Sequence, residues 1–493
     1  MLVLAVVDMH IATMGPITTI STDIMLLILH HLPTSAKAAL ALTCKSLNEI
    51  VGPTIYENIE MHWTPDNASG RTSPRGPPIH LLLRTMLESP ELALLVTHVK
   101  FFGNKNKTIW WDPTQAQLTE TEVARIITLI EGLDIPEDLT IPSSTVAREQ
   151  NTLLYQARSG NTELYQALFL LQLHNLQSLV IGYDYVGSPV VTCDILQRYL
   201  CSSVSETELS RFRHLHRVEL CNDMEREDLE DFMMIAGFQH SLHHILPFFY
   251  LPALQDLRVV APSSSSPALW PTTSPCASTL TALHLRRSEL LAEDLSTILS
   301  VTPNLTHLNI DLCSEIDIQT WGTPSLNCSE FDAALHHVAQ SLISLEISVK
   351  FYTFCNIWHG DQIFMSTIEG VMNFARFRRL ESLHIPAVLL LGHCTPTDRN
   401  VFGRLPTTLH SLSLRDDLAL YLSYPWSSHA LLESLQVSLD ARSLSVPVLE
   451  RIDVILHESG QEWNEESRNA FRKMCHTAGL ASQIYADLAE RVS

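Results

Sequence analysis

Apolar residues between positions 20 and 59 repeat with the spacing of an amphipathic helix. Four of them fall at i, i+3, i+4 and i+8 and would share one helical face: Ile24, Leu27, Ile28 and Leu32. Pro33 ends this pattern, and two further short helical patterns run from Ser35 to Leu42 and from Cys44 to Val51. About forty residues are too few to bury so much apolar surface by themselves. The sequence therefore predicts three short helices whose surplus apolar face packs against the rest of the chain or against a partner.

Short motifs within these helices follow one another in a fixed order. They are Asp23-Ile24, Ile28-Leu29, Leu32-Pro33, Cys44-Lys45-Ser46-Leu47 and Pro53-Thr54-Ile55-Tyr56. This series resembles the F-box, the module that attaches substrate receptors to the Skp adaptor of cullin–RING ubiquitin ligases. The opening departs from that family, because Ile20-Ser21 stands where a Leu-Pro pair is usual. The resemblance implies an adaptor-binding surface with these members: Ile24, Leu27, Ile28, Leu32, Leu40, Cys44 and Leu47.

A second pattern is the phrase Leu-x-x-Leu-x-Leu, with Ile or Val also allowed at its apolar positions. Ten copies begin at Leu176, Leu215, Leu254, Leu280, Leu305, Leu342, Leu380, Leu409, Leu432 and Leu449. A degenerate copy begins at Val96. Within a copy, the apolar fourth and sixth positions alternate with polar third and fifth positions, which is the period of a strand. Each copy therefore predicts one strand with an apolar face and a polar face.

Segments with a helical pattern precede several copies, at residues 161–173, 293–300, 329–340 and 366–377. Strands that alternate with helices at a near-regular period predict parallel strands in a solenoid. The phrase resembles leucine-rich repeats over residues 90–460, and the whole chain resembles divergent fungal F-box proteins that carry such repeats. The predicted fold class is α/β, with an N-terminal three-helix F-box-like module and a leucine-rich-repeat solenoid whose parallel sheet is curved.

The same patterns suggest a division of the chain. We expect a disordered leader at 1–17, the F-box-like module at 18–60, a linker at 61–90, the solenoid at 91–460 and a C-terminal helical cap at 461–493. Two weakly patterned insertions are predicted within the solenoid, at 134–160 and 261–278. Thr119 and Glu122 form a capping-box pattern that opens a helix reaching about Leu133.

Composition narrows the classes of partner and compartment. The 32 basic and 54 acidic residues give a formal charge of −22, which repels phosphate backbones, so we expect no nucleic-acid partner. No stretch approaches the ~20 apolar residues of a membrane-spanning helix, so we expect no membrane segment. The ten cysteines are isolated, without any C-x-x-C pair. Such usage is typical of a reducing compartment, the cytoplasm or the nucleus.

Motifs of catalysis are missing from the sequence. The chain carries no H-E-x-x-H, no glycine-rich phosphate loop, no G-x-S-x-G and no paired-cysteine metal spacing. We therefore expect no catalytic residue, no bound metal and no cofactor.

Polar positions of the repeated phrase are the candidate target-binding residues. In a parallel solenoid the third, fifth and seventh positions point to a concave face, and most of them are simply solvated there. A subset is expected to contact a protein target, drawn from Arg258, His284, Arg286, His307, Asn309, Glu346, His384 and Arg415.

Together these patterns predict a non-catalytic substrate-recognition subunit of a Skp–cullin–F-box ubiquitin ligase. Its F-box would bind the Skp-type adaptor of the cullin complex, and its solenoid would bind an unidentified target protein. The alternative is a repeat scaffold without a ligase role, in which the three helices only cap the N-terminal end. The two hypotheses predict different environments for Ile24 and Leu27: exposed in a ligase subunit, and packed on the repeats in a scaffold.

Overall fold

The repeated phrase forms the strands of one parallel sheet. A computed structural model describes residues 20–62, 78–102, 119–131, 157, 161–182, 190–201, 209–220, 242–260, 270–315, 326–352, 368–392, 401–418, 426–456 and 463–486. Within these residues, twelve strands lie side by side in one open sheet: β1 (Asn58–His62), β2 (His98–Phe102), β3 (Ser178–Ile181), β4 (Arg217–Leu220), β5 (Asp256–Val260), β6 (Ala282–Ser288), β7 (His307–Glu315), β9 (Ser344–Tyr352), β11 (Ser382–Pro386), β12 (Ser411–Arg415), β13 (Arg451–Leu456) and β14 (Ala481–Ala486). Two further strands, β8 (Leu326–Asn327) and β10 (Ile368–Glu369), form a separate pair.

Helices lie in most of the connections between strands, because parallel neighbours cannot be joined by a tight hairpin. The α-helices of the described residues are α1 (Thr22–His30), α2 (Thr34–Ala41), α3 (Lys45–Tyr56), α4 (Ile79–Glu88), α5 (Pro90–Ala93), α6 (Glu120–Glu131), α7 (Thr162–Leu170), α8 (Val190–Cys201), α9 (Ala292–Leu299), α10 (Cys328–Leu335), α11 (Ala387–Leu391), α12 (Ser428–Asp440), α13 (Arg442–Ser445) and α14 (Glu465–Thr477). Short 3-10 helices span Leu242–His244, Leu246–Tyr250, His336–Val338 and Val401–Arg404. Within the described ranges, every helix is too short or too polar to cross a lipid bilayer.

A ladder of aliphatic side chains runs across the sheet. The fourth positions of the phrase pair in register from strand to strand, and each is at most 2% exposed: Val99, Leu179, Val218, Leu257, Leu283, Leu308, Leu345, Leu383, Leu412 and Ile452. A buried aliphatic side chain contributes about 1.5–3 kcal/mol. The ladder therefore fixes strand register, since a slip of one residue would bring the polar positions into the core.

Three of the four predicted helical segments are confirmed. They correspond to α7, α9 and α10, the last of which continues into the 3-10 turn at His336–Val338. Asparagine caps two of them, since Asn161 Oδ1 accepts the Leu164 N–H at 3.1 Å and Asn327 Oδ1 accepts the Ser329 N–H at 3.0 Å. The capping box that opens α6 is also confirmed, because Glu122 Oε2 accepts the Thr119 N–H at 2.8 Å.

The predicted helix at 366–377 is absent from the described part of that segment. Residues 368–369 form β10, and Gly370 follows with φ +79°, a left-handed conformation that no α-helix contains. Phe374 and Phe377 are then buried from an irregular stretch of chain. Aromatic side chains at this spacing resembled the apolar face of a helix, but the glycine turn sets the backbone.

The copy of the phrase at Leu432 does not form a strand, contrary to the prediction. It lies inside α12, where the buried Leu431, Leu435 and Leu439 follow helical spacing and Ser427 Oγ accepts the Ala430 N–H at 3.3 Å. The copy at Leu432 begins 23 residues after the copy before it and 17 residues ahead of the next one. Both intervals therefore belong to one connection between β12 and β13, and α12 is its helix.

Three elements lie where the sequence predicted something else. Helix α4 lies in the C-terminal part of the predicted linker at 61–90, and β1 adds a strand ahead of the first copy of the phrase. The C-terminal segment is helical only as far as Thr477, because Gly479 (φ +69°) ends α14 and β14 then pairs with the edge of β13. Strand β14 differs from the phrase, since it has Ser482 at the fourth position.

Some predicted segments lie outside the described residues. These are the leader at 1–17 and, apart from residue 157, the insertion at 134–160. In the insertion at 261–278, residues 270–278 are described, and they contain turns and irregular chain without a helix or strand.

The ladder generates a direct test at its centre. Replacing Leu283 with alanine leaves a cavity beside two neighbouring strands, so the free energy of unfolding should fall by about 2–5 kcal/mol. Leu444 is largely exposed, and its replacement with alanine should change stability by less than about 0.5 kcal/mol. Urea unfolding followed by circular dichroism measures both; similar losses in the two variants would contradict the assignment of the ladder as core.

Candidate functional site

Helices α1, α2 and α3 form a unit with its own small core, called here the three-helix unit. The core consists of Met25, Leu29, Leu47 and Val51, all nearly inaccessible to solvent, and it is separate from the main core under the sheet. Partly buried side chains complete it: Leu32, Leu40, Ala41, Ile50 and Ile55. The unit meets the rest of the fold through α3, which contacts β1 and α5.

The other side of α1 is apolar and open to solvent. Six consecutive apolar residues, Ile24 to Leu29, place apolar side chains on all sides of α1. A helix on the surface of a protein buries only one stripe of its side chains. Because Met25 and Leu29 take the inward stripe, four large side chains remain outside, with Ile24 52% and Leu27 67% exposed. We call Ile24, Leu26, Leu27 and Ile28 the α1 surface. Leu42, at the end of α2, is also largely exposed.

The predicted adaptor-binding residues occupy three different environments. Ile24, Leu27 and Ile28 lie on the α1 surface and Cys44 is exposed, whereas Leu32 and Leu40 are half-buried against the small core and Leu47 lies inside it. Leu47 therefore supports the surface and does not line it.

Sequence reasoning did not identify Met25 and Leu29 as the inward pair, and it missed Leu26 as an outward residue. The available signal was the matching i, i+4 pair Leu47 and Val51 on α3, which Met25 and Leu29 face across the small core.

Outward side chains of the sheet form a second candidate site, called here the polar face. It consists of the third, fifth and seventh positions of the strands. Of the eight predicted target-binding residues, Arg286 and His307 are exposed, Arg415 is buried, and the rest are half-buried: Arg258, His284, Asn309, Glu346 and His384.

On β4 and β5 the polar face is a checkerboard of opposite charges. Arg217 pairs with Glu219 on its own strand and lies 3.8 Å from an Asp256 oxygen on the next. Arg258 in turn lies 3.0 Å from Asp256. The hydrogen bond from Arg217 to Glu219 raises the pKa of Arg217, so this guanidinium stays charged. The sequence analysis named only Arg258 of these four, although Arg-x-Glu followed by Asp-x-Arg at aligned positions was a usable signal.

His284 extends this checkerboard onto β6. Burial lowers its pKa, and the nearby Arg258 lowers it further, while Asp256 at 3.9 Å acts in the opposite sense. Arg286 also lowers it and Glu219 raises it. The lowered pKa favours the neutral imidazole, so the arginines carry the positive charge here at neutral pH.

Arg415 holds together the C-terminal part of the sheet. Its Nε lies 2.9 Å from Asp417 Oδ1, and its Nη1 lies 3.4 Å from Glu346 Oε1, two strands away. Asp417 Oδ2 accepts the Val349 N–H at 3.1 Å, beyond the point where β11 stops pairing with β9. Because Arg415 is only 5% exposed, it serves the fold at this position and presents little surface to a target.

His384 lies between these charged groups. Burial lowers its pKa, Glu346 raises it, Arg415 lowers it and Asp453 raises it. The imidazole is half-buried among these charged groups.

Elsewhere the described residues offer little that resembles an active site. A groove between α4 and α6 is lined by His80, Leu83, Arg84, Leu87, Glu122, Arg125 and Ile126. Its cations are paired across the groove, Arg84 with Glu122 at 3.1 Å and Arg125 with Glu88 at 3.3 Å. Throughout the described ranges, no three His, Cys, Asp or Glu residues come together as a metal site would require.

No family model matches the chain, and no curated protein matches it.

The Arg415 network predicts an unequal cost for two ion-pair mutations. Asp417→Asn removes the carboxylate bonded to a buried guanidinium, so it should cost about 3–5 kcal/mol of unfolding free energy. Lys100→Gln removes a pair with Glu60 in which both side chains are about half exposed, so it should cost about 0–1 kcal/mol. Urea unfolding compares them; equal costs would show that Arg415 and Asp417 have no special role in the fold.

Proposed function

We propose that the chain is the substrate-recognition subunit of a Skp–cullin–F-box ubiquitin ligase. In this proposal the α1 surface binds the Skp-type adaptor and the polar face of a leucine-rich-repeat solenoid holds a target protein. The observation that carries the proposal is the exposure of Ile24 and Leu27 on a helix whose other side already fills a core of its own.

The energetics of α1 support a partner. An aliphatic side chain gains about 1.5–3 kcal/mol when it leaves water, and the α1 surface carries four neighbouring ones. Contiguous exposed apolar patches of this kind mark interaction sites in soluble proteins. Because Met25 and Leu29 hold the helix on α3, such a partner meets a surface that is already formed, and little conformational entropy is lost on binding.

The position of the unit supports a tethering role. Helix α3 leads directly into β1, the first strand of the sheet, so an adaptor on α1 and a target on the polar face would be held by one continuous fold. A separate enzyme of the complex would then transfer ubiquitin to a nearby target, and the chain itself would contribute only proximity.

A repeat scaffold without a ligase role is the second candidate. The observation in its favour is the opening Ile20-Ser21 in place of Leu-Pro, which leaves α1 without a proline in its first turn and without a side-chain cap. A scaffold of this kind would not bind the adaptor.

Adaptor binding tests the proposal directly. The double substitution Ile24→Asp plus Leu27→Asp places two charges on the α1 surface without touching the small core. It should weaken binding of a purified Skp-type adaptor by about a hundredfold or more, since two buried aliphatic contacts are lost. Biolayer interferometry on the full chain provides the measurement.

The control is Leu444→Asp, which introduces one charge of the same sign at an exposed leucine far along the chain on α13. It should leave adaptor binding unchanged. Undiminished adaptor binding by the folded double variant, or no binding by the wild-type chain, would end the ligase proposal and leave the scaffold.

A further inference from the structure

Three arginines form a diagonal row across β4, β5 and β6. Arg217 occupies the third position of its strand, Arg258 the fifth and Arg286 the seventh, and the register aligns these strands residue by residue. Neighbouring strands lie roughly 4.8 Å apart and two residues span roughly 6.6 Å, so successive Cα atoms of the row lie roughly 8 Å apart. We call these three residues the arginine diagonal.

Within this patch the cations lie above the anions. The side chain of Arg217 is 42% exposed but that of its partner Glu219 only 12%. The side chain of Arg258 is 32% exposed and that of its partner Asp256 only 21%. Arg286 is exposed as well. Glu219 and Asp256 therefore hold the guanidinium groups of Arg217 and Arg258 from below, and a molecule approaching these two strands meets the arginines first.

Elsewhere on the polar face the charged pairs vary. On β13 the side chain of Arg451 is 45% exposed and that of its partner Asp453 only 5%, as on β4 and β5, but this is a single pair. Near β9 and β12 the order is reversed, since Arg415 is buried while the side chain of its partner Glu346 is 38% exposed. Lys100 and Glu60 are about equally exposed. In a chain of formal charge −22, three aligned arginines on neighbouring strands thus form a local positive surface across β4 to β6.

We infer that the arginine diagonal binds an extended segment of a target protein that carries acidic side chains on alternate residues. An extended segment places alternate side chains on one side, roughly 7 Å apart, which the long arginine side chains can match. Guanidinium groups form short, charge-assisted hydrogen bonds with carboxylates. Fixing these groups in advance lowers the entropy lost on binding. This inference rests on the proposed function in one respect, because it names the target segment of the recognition subunit.

Peptide binding to the full chain tests the inference. One fluorescent peptide carries three glutamates on alternate residues in a serine and glycine background. The second carries three glutamates at every third residue, so that neighbouring glutamates fall on opposite sides of an extended chain. Fluorescence anisotropy should show about tenfold tighter binding of the first peptide, because the second loses at least one charge-assisted contact.

Two variants locate the site. Arg258→Gln and Arg286→Gln should each weaken binding of the alternating peptide about tenfold. The control Lys100→Gln removes the same charge from the same face, outside the diagonal, and should change binding less than about twofold, since separated exposed charges are screened by salt. Circular dichroism confirms folding of each variant, and Arg286, as the more exposed residue, carries the test if Arg258→Gln disturbs the fold.

Three results would overturn the inference: no binding of the alternating peptide, equal binding of the two peptides, or an equal effect of Lys100→Gln and Arg286→Gln. The outcome is separate from that of adaptor binding, because the peptides do not involve α1 and the adaptor does not involve the arginine diagonal. Either claim can fail alone.

Discussion

Register between neighbouring strands is the constraint on which the rest of the molecule depends. A parallel strand buries alternate side chains, and the aliphatic ladder from Val99 to Ile452 fixes which residues these are. Every other residue is thereby directed to the opposite face, where charges of adjacent strands meet at fixed offsets. The checkerboard on β4 and β5 and the buried pair of Arg415 and Asp417 both follow from this alignment. The same constraint that stabilises the core thus arranges the polar face.

The three-helix unit does not depend on strand register, because its core is formed by residues of its own helices. Met25 and Leu29 pack on Leu47 and Val51, which satisfies the unit without help from the sheet. What remains of the apolar run on α1 is exposed among the described residues. A surplus of this kind reduces solubility and invites association, which supports the proposal that it is a binding surface. The chain thus combines an apolar site at one end with a charged face along the sheet.

The repeated phrase predicted ten of the twelve strands of the sheet, but neither β1 nor β14. Nine of the ten copies of the phrase form strands, since alternation of apolar and polar residues is a local property. The copy at Leu432 failed because Leu431, Leu435 and Leu439 satisfy the helical period in the same stretch. The burial of Arg415 was beyond local reasoning, since it depends on where β11 ends and on Asp417 reaching Val349. The inward orientation of Met25 and Leu29 also depends on residues distant in the sequence, because their partners Leu47 and Val51 lie on α3.

Amide hydrogen exchange on α1 tests the central claim most directly, because it reports whether another protein covers this helix. Mass spectrometry would follow peptides from α1 and from β6 in the full chain, with and without a saturating Skp-type adaptor. The account predicts that exchange in α1 slows strongly when the adaptor is added, while exchange in β6 stays the same. An α1 whose exchange is unaffected by the adaptor, or already as slow as that of β6 without it, would contradict the account.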